Sequence, residues 1–297
     1  MNRSPNRHGA ATLAGALLSA LLLWPSSPVH AAQELGDGLA YIQERGRVAV
    51  CTTMAFPLFA YYDAQDKPAG LVHDLIVDAH RRLEARLERK LELSVVRVTP
   101  TNRIEFVRQG RCDFMISTLS NSPERKALLD FAEPGFYRSG TTLLALKTSH
   151  VESWESLRGK PVCSSPTNSW LKTGERRYGI DFVTYFGGEV DSQKAVVDGR
   201  CVGLVAYDTY FEILLRRDGQ QVWNNFEIKL PSQDYAYWSI TLRNQRPQLR
   251  AFLDEVVADW HRSGLIIDLE NRYGIPANAW VAQMHSQYST PTPDAEH

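Results

Sequence analysis

GRCDFMISTLSNSPER, residues 110–125, carries the reading of this chain. DFMIST (113–118) is a short apolar, β-prone run of the kind that forms a buried strand. Upstream, LELSVVRV (91–98) reads as a strand and NRIEFVRQG (102–110) as a helix. Before them come the strand VAVC (48–51) and the amphipathic LVHDLIVDAHRRLEARLERK (71–90), where Leu71, Leu75, Ile76, Ala79 and Leu83 share one helical face. Strands alternating with helices in this way predict a βαβ parallel sheet. Ser117, Thr118 and Ser120 then fall beyond the carboxyl end of a strand, where open α/β sheets bind ligands. Ser122 suits an N-cap and Pro123 the first helical position, which places Arg125 in the first turn. Unpaired N–H groups, a positive helix start and a planar fork of donors together suit a carboxylate held bidentately. Read alone, the same residues also fit a capped helix with a surface arginine.

The pattern repeats downstream. PVCSS (161–165), a helix near Ser169–Arg177, DFVTYF (181–186), a helix at 189–198 and VGLVAYD (202–208) form a second βαβ series and so a second, similar lobe. TTLLALK (141–147) and YAYWSITL (235–242) flank that series, where paired crossovers between lobes belong. AFLDEVVADWHRSG (251–264) and two further helical stretches follow. The expected segmentation is 1–31 as a signal peptide, 32–139 and 233–288 as lobe one, 140–232 as lobe two, and 289–297 as a polar, Pro-rich disordered tail.

The signal-peptide reading rests on Arg3 and Arg7, an apolar run from about Gly9 to Trp24, and Val29-His30-Ala31 as a cleavage site. The apolar run falls short of the roughly 20 residues needed to span a bilayer. Cleavage after Ala31 leaves 31 basic and 34 acidic side chains, a net charge near −3. That balance gives no reason to expect a nucleic-acid partner, and no later run is long enough for membrane insertion. The four cysteines lack C-x₂₋₄-C spacing and nearby histidines, so they read as disulfides and no metal or other cofactor is expected. Four cysteines allow three pairings. Their matching places in the two βαβ series predict Cys51–Cys112 and Cys163–Cys201, each contributing about 3–4 kcal/mol in the loop-entropy model.

Taken in order, RVAVCTTMAFPLFAYYDAQDKPAGLVHDLIVDAHRRL, GRCDFMISTLSNSPER, SLRGKPVCSS, GRCVGLVAYD and LDEVVADWHRSGLIIDLENRYG resemble the bacterial extracellular solute-binding proteins of family 3. These are periplasmic polar amino-acid receptors of ABC importers, similar to the glutamine and the lysine/arginine/ornithine binding proteins. The resemblance covers nearly all of the chain after residue 31. It implies an α/β, periplasmic-binding-protein-like (type II) fold, with two βαβ lobes joined by two crossover strands and a cleft between them. It also implies a periplasmic monomer without enzymatic activity that captures a small amino acid or related carboxylate and docks on an ABC transporter permease.

By position, the resemblance implies that Arg125 grips the ligand carboxylate with help from Ser120, and that Ser117 and Thr118 face the ligand's amino group. Thr167, Asn168 and Ser169 complete the carboxylate site from lobe two, and Phe56 lies against the ligand side chain. Two departures stand out. Where relatives often carry an acid in the first loop, this chain has Thr52. After the lobe-two strand, strict register gives Tyr207, with Asp208 one residue later as the candidate counter-charge for an ammonium. These departures keep two alternatives open: an accessory or sensor without a transporter, and a periplasmic dehydratase of the prephenate/arogenate type. For the latter, Glu105, Glu133, Asp208 and Asp234 are the available acids.

Overall fold

The computed structural model describes residues 38–185, 189–216 and 221–290. The expected signal peptide and residues 291–297 of the expected tail lie outside the described residues. Two sheets organise the rest. The first has the order β4-β1-β5-β13-β6, built from β1 (Arg47–Thr53), β4 (Glu92–Val98), β5 (Phe114–Met115), β6 (Asp130–Phe131) and β13 (Thr241–Leu242). In it β1 runs parallel to both β4 and β5, as the βαβ reading requires, while β13 is antiparallel to β5 and β6. The second sheet has the order β11-β7-β10-β8-β9, from β7 (Tyr137–Leu146), β8 (Pro161–Ser164), β9 (Asp181–Thr184), β10 (Leu204–Tyr207) and β11 (Phe226–Ile228). A short hairpin, β2 (Tyr61–Tyr62) with β3 (Pro68–Ala69), leads into α2 (Leu71–Leu87).

The chain passes between the sheets twice. It leaves β6 for β7, and it returns from β12 (Gln233–Trp238), which pairs antiparallel with the first half of β7, to β13. The strand expected at 235–242 is therefore two strands. Ser239 and Ile240 separate them because the chain there changes sheets.

Helix α2 buries Leu71, Val72, Leu75, Ile76, Ala79 and Leu83, the face read from the sequence plus Val72. It begins after Gly70, whose φ of 112° and whose approach to the Phe59 carbonyl, 2.5 Å from where a Cβ would stand, admit only glycine. Both expected disulfides are present. Cα separations of 5.6 Å for Cys51–Cys112 and 5.5 Å for Cys163–Cys201 lie in the normal range, one bridge staying within each sheet's region. Among the described residues no helix is long and apolar enough to cross a membrane.

α8 (Pro247–Ser263), α9 (Leu265–Tyr273) and α10 (Ala279–Ser289) follow β13. Glu270 of α9 is only 2% exposed and accepts hydrogen bonds from the Tyr137 hydroxyl at 2.7 Å and the Asn278 N–H at 3.2 Å. Burial raises its carboxyl to about 7 from an ordinary 4.5, although these hydrogen bonds pull the other way. The folded protein therefore holds a proton that the unfolded chain releases near pH 4.5. The stability associated with this group is full below about 4.5 and is lost as pH rises to about 7. Glu270→Gln is expected to stabilise the protein at pH 8 by about 2–3 kcal/mol and to flatten this part of the stability profile. Urea titrations of both proteins at pH 5 and pH 8 check this, and an unchanged difference between the two pH values counts against it.

Candidate functional site

The carboxyl ends of β1, β4 and β5 face those of β8 and β10 across a narrow cavity of about 60 Å³. Its lining includes Thr53, Phe56, Arg103, Thr118 and Arg125 from the first sheet's side, with Ser165, Thr167, Asn168, Tyr207 and Tyr210 from the second. Two larger cavities are present. One, of about 480 Å³, has a mainly apolar rim with Arg216 as its charged member, and the other, of about 390 Å³, lies around Asp208 and Glu212. The smallest of the three draws polar donors from the strand ends of both sheets, which is where this architecture binds ligands.

Arg125 is placed by a helix shorter than its sequence suggests. α4 (Pro123–Lys126) is a single turn after Ser122, so a helix dipole adds little and the guanidinium itself supplies the charge. The strand before it is also shorter than DFMIST. Only Phe114 and Met115 pair, which leaves Ser117 to Ser120 as the loop beyond the strand end. One nitrogen of Arg125 donates to the Ser120 carbonyl at 3.1 Å and to the Ser120 hydroxyl. The other crosses to the facing lobe and donates to the Thr167 carbonyl at 2.9 Å. Burial lowers the pKa of this side chain, and the neighbouring Tyr207 hydroxyl opposes that effect. The guanidinium is thus held over the gap by acceptors from both sides.

The other expected residues divide. Phe56, Thr118, Thr167 and Asn168 line the cavity with Arg125. The Asn168 side chain is already engaged, donating to the Ser164 hydroxyl at 3.1 Å and accepting from the Trp170 N–H at 2.9 Å. Ser169 pairs with the Ser120 hydroxyl at 3.1 Å, joining the two sides, and neither residue lines the cavity. Ser117 is fully buried and its hydroxyl pairs with that of Thr53 at 2.9 Å. It does not line the cavity.

Asp208 also points elsewhere. Its Oδ1 accepts from the Ser139 hydroxyl at 2.5 Å, the Thr209 N–H at 2.7 Å and the Gly140 N–H at 3.1 Å, and its carboxylate borders the cavity of about 390 Å³. Tyr207, the residue in strict register, takes the cleft position. Alternation explains the pair: Tyr207 ends β10 and Asp208 opens α7 (Asp208–Arg216), so neighbouring side chains diverge.

Arg103 and Trp238 escaped the sequence reading, while Tyr210 is one of several aromatic residues that the sequence offers as possible cleft walls. Arg103, the first residue of α3 (Arg103–Arg108), is 7% exposed and adds a second guanidinium to the lining. It follows the carboxyl end of β4, so the strand-end rule that singles out Ser117–Ser120 applies to it too. Tyr210 lines the cavity with Phe56, and the fully buried Trp238 packs behind them. Phe56 meets Tyr210 at 5.1 Å and Trp238 at 5.6 Å between ring centres, and Tyr207 meets Trp238 at 5.4 Å, all edge-to-face. A single aromatic residue in one sequence carries no signal of that convergence.

Two sheets linked by two crossovers, with a polar, cationic cavity between their strand ends, define a two-lobed solute-binding fold of the type II periplasmic class. The chain belongs to the bacterial extracellular solute-binding proteins, family 3, which it matches over residues 48–276. It is 32% identical over 272 residues to the L-glutamate/L-aspartate-binding protein of Pseudomonas aeruginosa, covering 88% of this chain and 86% of the relative. To the glutamate/aspartate import solute-binding protein of Escherichia coli it is 26% identical over 239 residues, 79% of this chain and 78% of the relative. Among solved structures, the solute receptor for L-cysteine of Neisseria gonorrhoeae matches with a TM-score of 0.71 at 18% identity, covering 82% of this chain and 98% of that one. That similarity is one of fold.

Proposed function

We propose that the protein captures a small amino acid or related carboxylate between its lobes in the periplasm and delivers it to the permease of an ABC importer. The observation that carries this reading is Arg125, a partly buried guanidinium between the lobes that is bonded to Ser120 on its own side and Thr167 opposite. In this role Arg125 takes the carboxylate, Thr118, Ser120, Thr167, Asn168 and Ser169 supply polar contacts, and Phe56 packs on the rest of the ligand. The names of the glutamate/aspartate-binding relatives favour an acidic ligand, and Arg103 beside Arg125 suits one. A cavity of about 60 Å³ is small against the roughly 300–1,000 Å³ typical of ligand pockets. Admission of a ligand therefore requires the lobes, read as 32–139 with 233–288 and as 140–232, to part about the two crossovers.

Binding without chemistry is supported by the state of the acids that a dehydratase would need. Glu105 pairs with Arg108 at 3.0 Å and Glu133 with Lys126 at 3.1 Å. Asp234 accepts from the Trp170 ring N–H at 2.7 Å and from Arg177 at 2.9 Å, and Asp208 is bonded as described. No one of these four lines the cleft. The periplasmic location, the cleaved leader at 1–31 and the monomeric state belong to the same proposal.

A thermal-shift screen of the twenty amino acids and small dicarboxylates tests it. A ligand at 100 times its dissociation constant adds about 2.7 kcal/mol of stability, a readily measured rise in melting temperature. Absence of any response across the panel defeats the proposal and favours an accessory role.

A further inference from the structure

The cleft presents two guanidinium groups, Arg103 and Arg125, and its remaining polar side chains are the Asn168 amide and the hydroxyls of serine, threonine and tyrosine residues, Tyr207 and Tyr210 among them. Among the described residues of that lining there is no carboxylate. An α-ammonium brought into such a space needs an anion or several well-placed acceptors to replace its water. The anion that the sequence offers, Asp208, is committed elsewhere by its bonds to Ser139, Gly140 and Thr209. Those donors sit at the first crossover and at the start of α7, so turning the carboxylate toward the cleft would break three hydrogen bonds at once. In its place Tyr207 presents a phenol, which carries no carboxylate and stands beside Arg125.

From this arrangement we infer that the ligand is a small dicarboxylate whose α-ammonium is dispensable, so that 2-oxo and unsubstituted dicarboxylates bind as well as the corresponding acidic amino acids. The inference rests on the cleft reading of the proposed function and specifies its ligand class. Arg125 and Arg103 engage the two carboxylates. The position next to the first carboxylate is served by hydroxyls, which can donate to a keto oxygen or accept from an ammonium N–H, so the site demands neither. Tyr207 thereby acts as a specificity-determining residue, since an acid there would reward an ammonium and repel an additional anion.

The test is isothermal titration of the full secreted chain with L-glutamate, L-aspartate, glutarate, succinate and 2-oxoglutarate under one buffer and salt condition. The expected result is that the best amino-free compound binds within tenfold of the best amino acid, or more tightly. Tyr207→Asp is expected to shift that ratio by tenfold or more toward the amino acid. A wild-type preference for the amino acid beyond tenfold overturns the inference while leaving amino-acid capture intact, and this comparison does not depend on the variant folding. Failure of both series to bind overturns the inference together with the cleft reading beneath it. A folded Tyr207→Asp protein, verified by its melting curve, with an unshifted ratio removes Tyr207 from the specificity role and also counts against the inference.

Discussion

Arg125→Ala is expected to weaken binding of the cleft ligand by about 2–5 kcal/mol, roughly 30- to 5,000-fold in dissociation constant, because a desolvated carboxylate loses its charged partner. The loss should appear mainly in the dissociation rate, where most effects of contact mutations fall. The fold should be nearly indifferent. Arg125 is partly buried, but it sits in a one-turn helix, and its bonds are to Ser120 and to the Thr167 carbonyl, none of which holds a sheet together. Calorimetry with glutamate or a screened dicarboxylate, paired with a melting curve, separates the two effects. Arg125→Lys should recover only part of the affinity, because an ammonium cannot present two parallel donors to one carboxylate. Wild-type affinity in the alanine variant would refute the role assigned to this residue.

Trp238→Ala is expected to cost about 3–5 kcal/mol of folding stability. Trp238 is fully buried at the end of β12, immediately before the chain returns to the first sheet. Its ring packs on Phe59 at 5.3 Å, Tyr137 at 5.3 Å, Tyr207 at 5.4 Å and Phe56 at 5.6 Å. These partners come from the first loop, from the first crossover strand and from the second sheet. The resulting void would therefore open where three regions meet, with little scope for collapse from one side. Chemical denaturation checks the size of the loss, and a change below about 1 kcal/mol would show that the cluster relaxes to fill the space. Trp238→Phe retains an aromatic ring and should cost less.

The architecture was readable because it rests on periodicity and on repetition. Helical spacing in 71–83 gave α2 its buried face, and two similar strand-helix series paired Cys51 with Cys112 and Cys163 with Cys201. Element ends were less legible. DFMIST reads as a strand over six residues, yet only Phe114 and Met115 pair, and the chain turns early to set Ser117–Ser120 beyond the strand end. Within the cleft, Arg125 and Thr118 follow from their places beyond a strand end, and Phe56 from the family resemblance. The choice between Tyr207 and Asp208 does not, since a one-residue step at the junction of β10 and α7 sends the two side chains to different cavities. Arg103 was passed over inside an ordinary helical segment. Its significance comes from what lies opposite, and that is a property of the fold in three dimensions.

The bond from Arg125 to the Thr167 carbonyl has a consequence for how the receptor discriminates. In the shut arrangement the facing lobe already offers this cation a neutral oxygen, so an incoming solute must outcompete a tethered rival. A carboxylate, with a full charge and two oxygens, wins that exchange, whereas an amide or an alcohol of the same shape offers no advantage over the peptide it would displace. Under the role proposed for Arg125, the backbone of Thr167 is then a resident competitor that a charged solute displaces more readily than a neutral one.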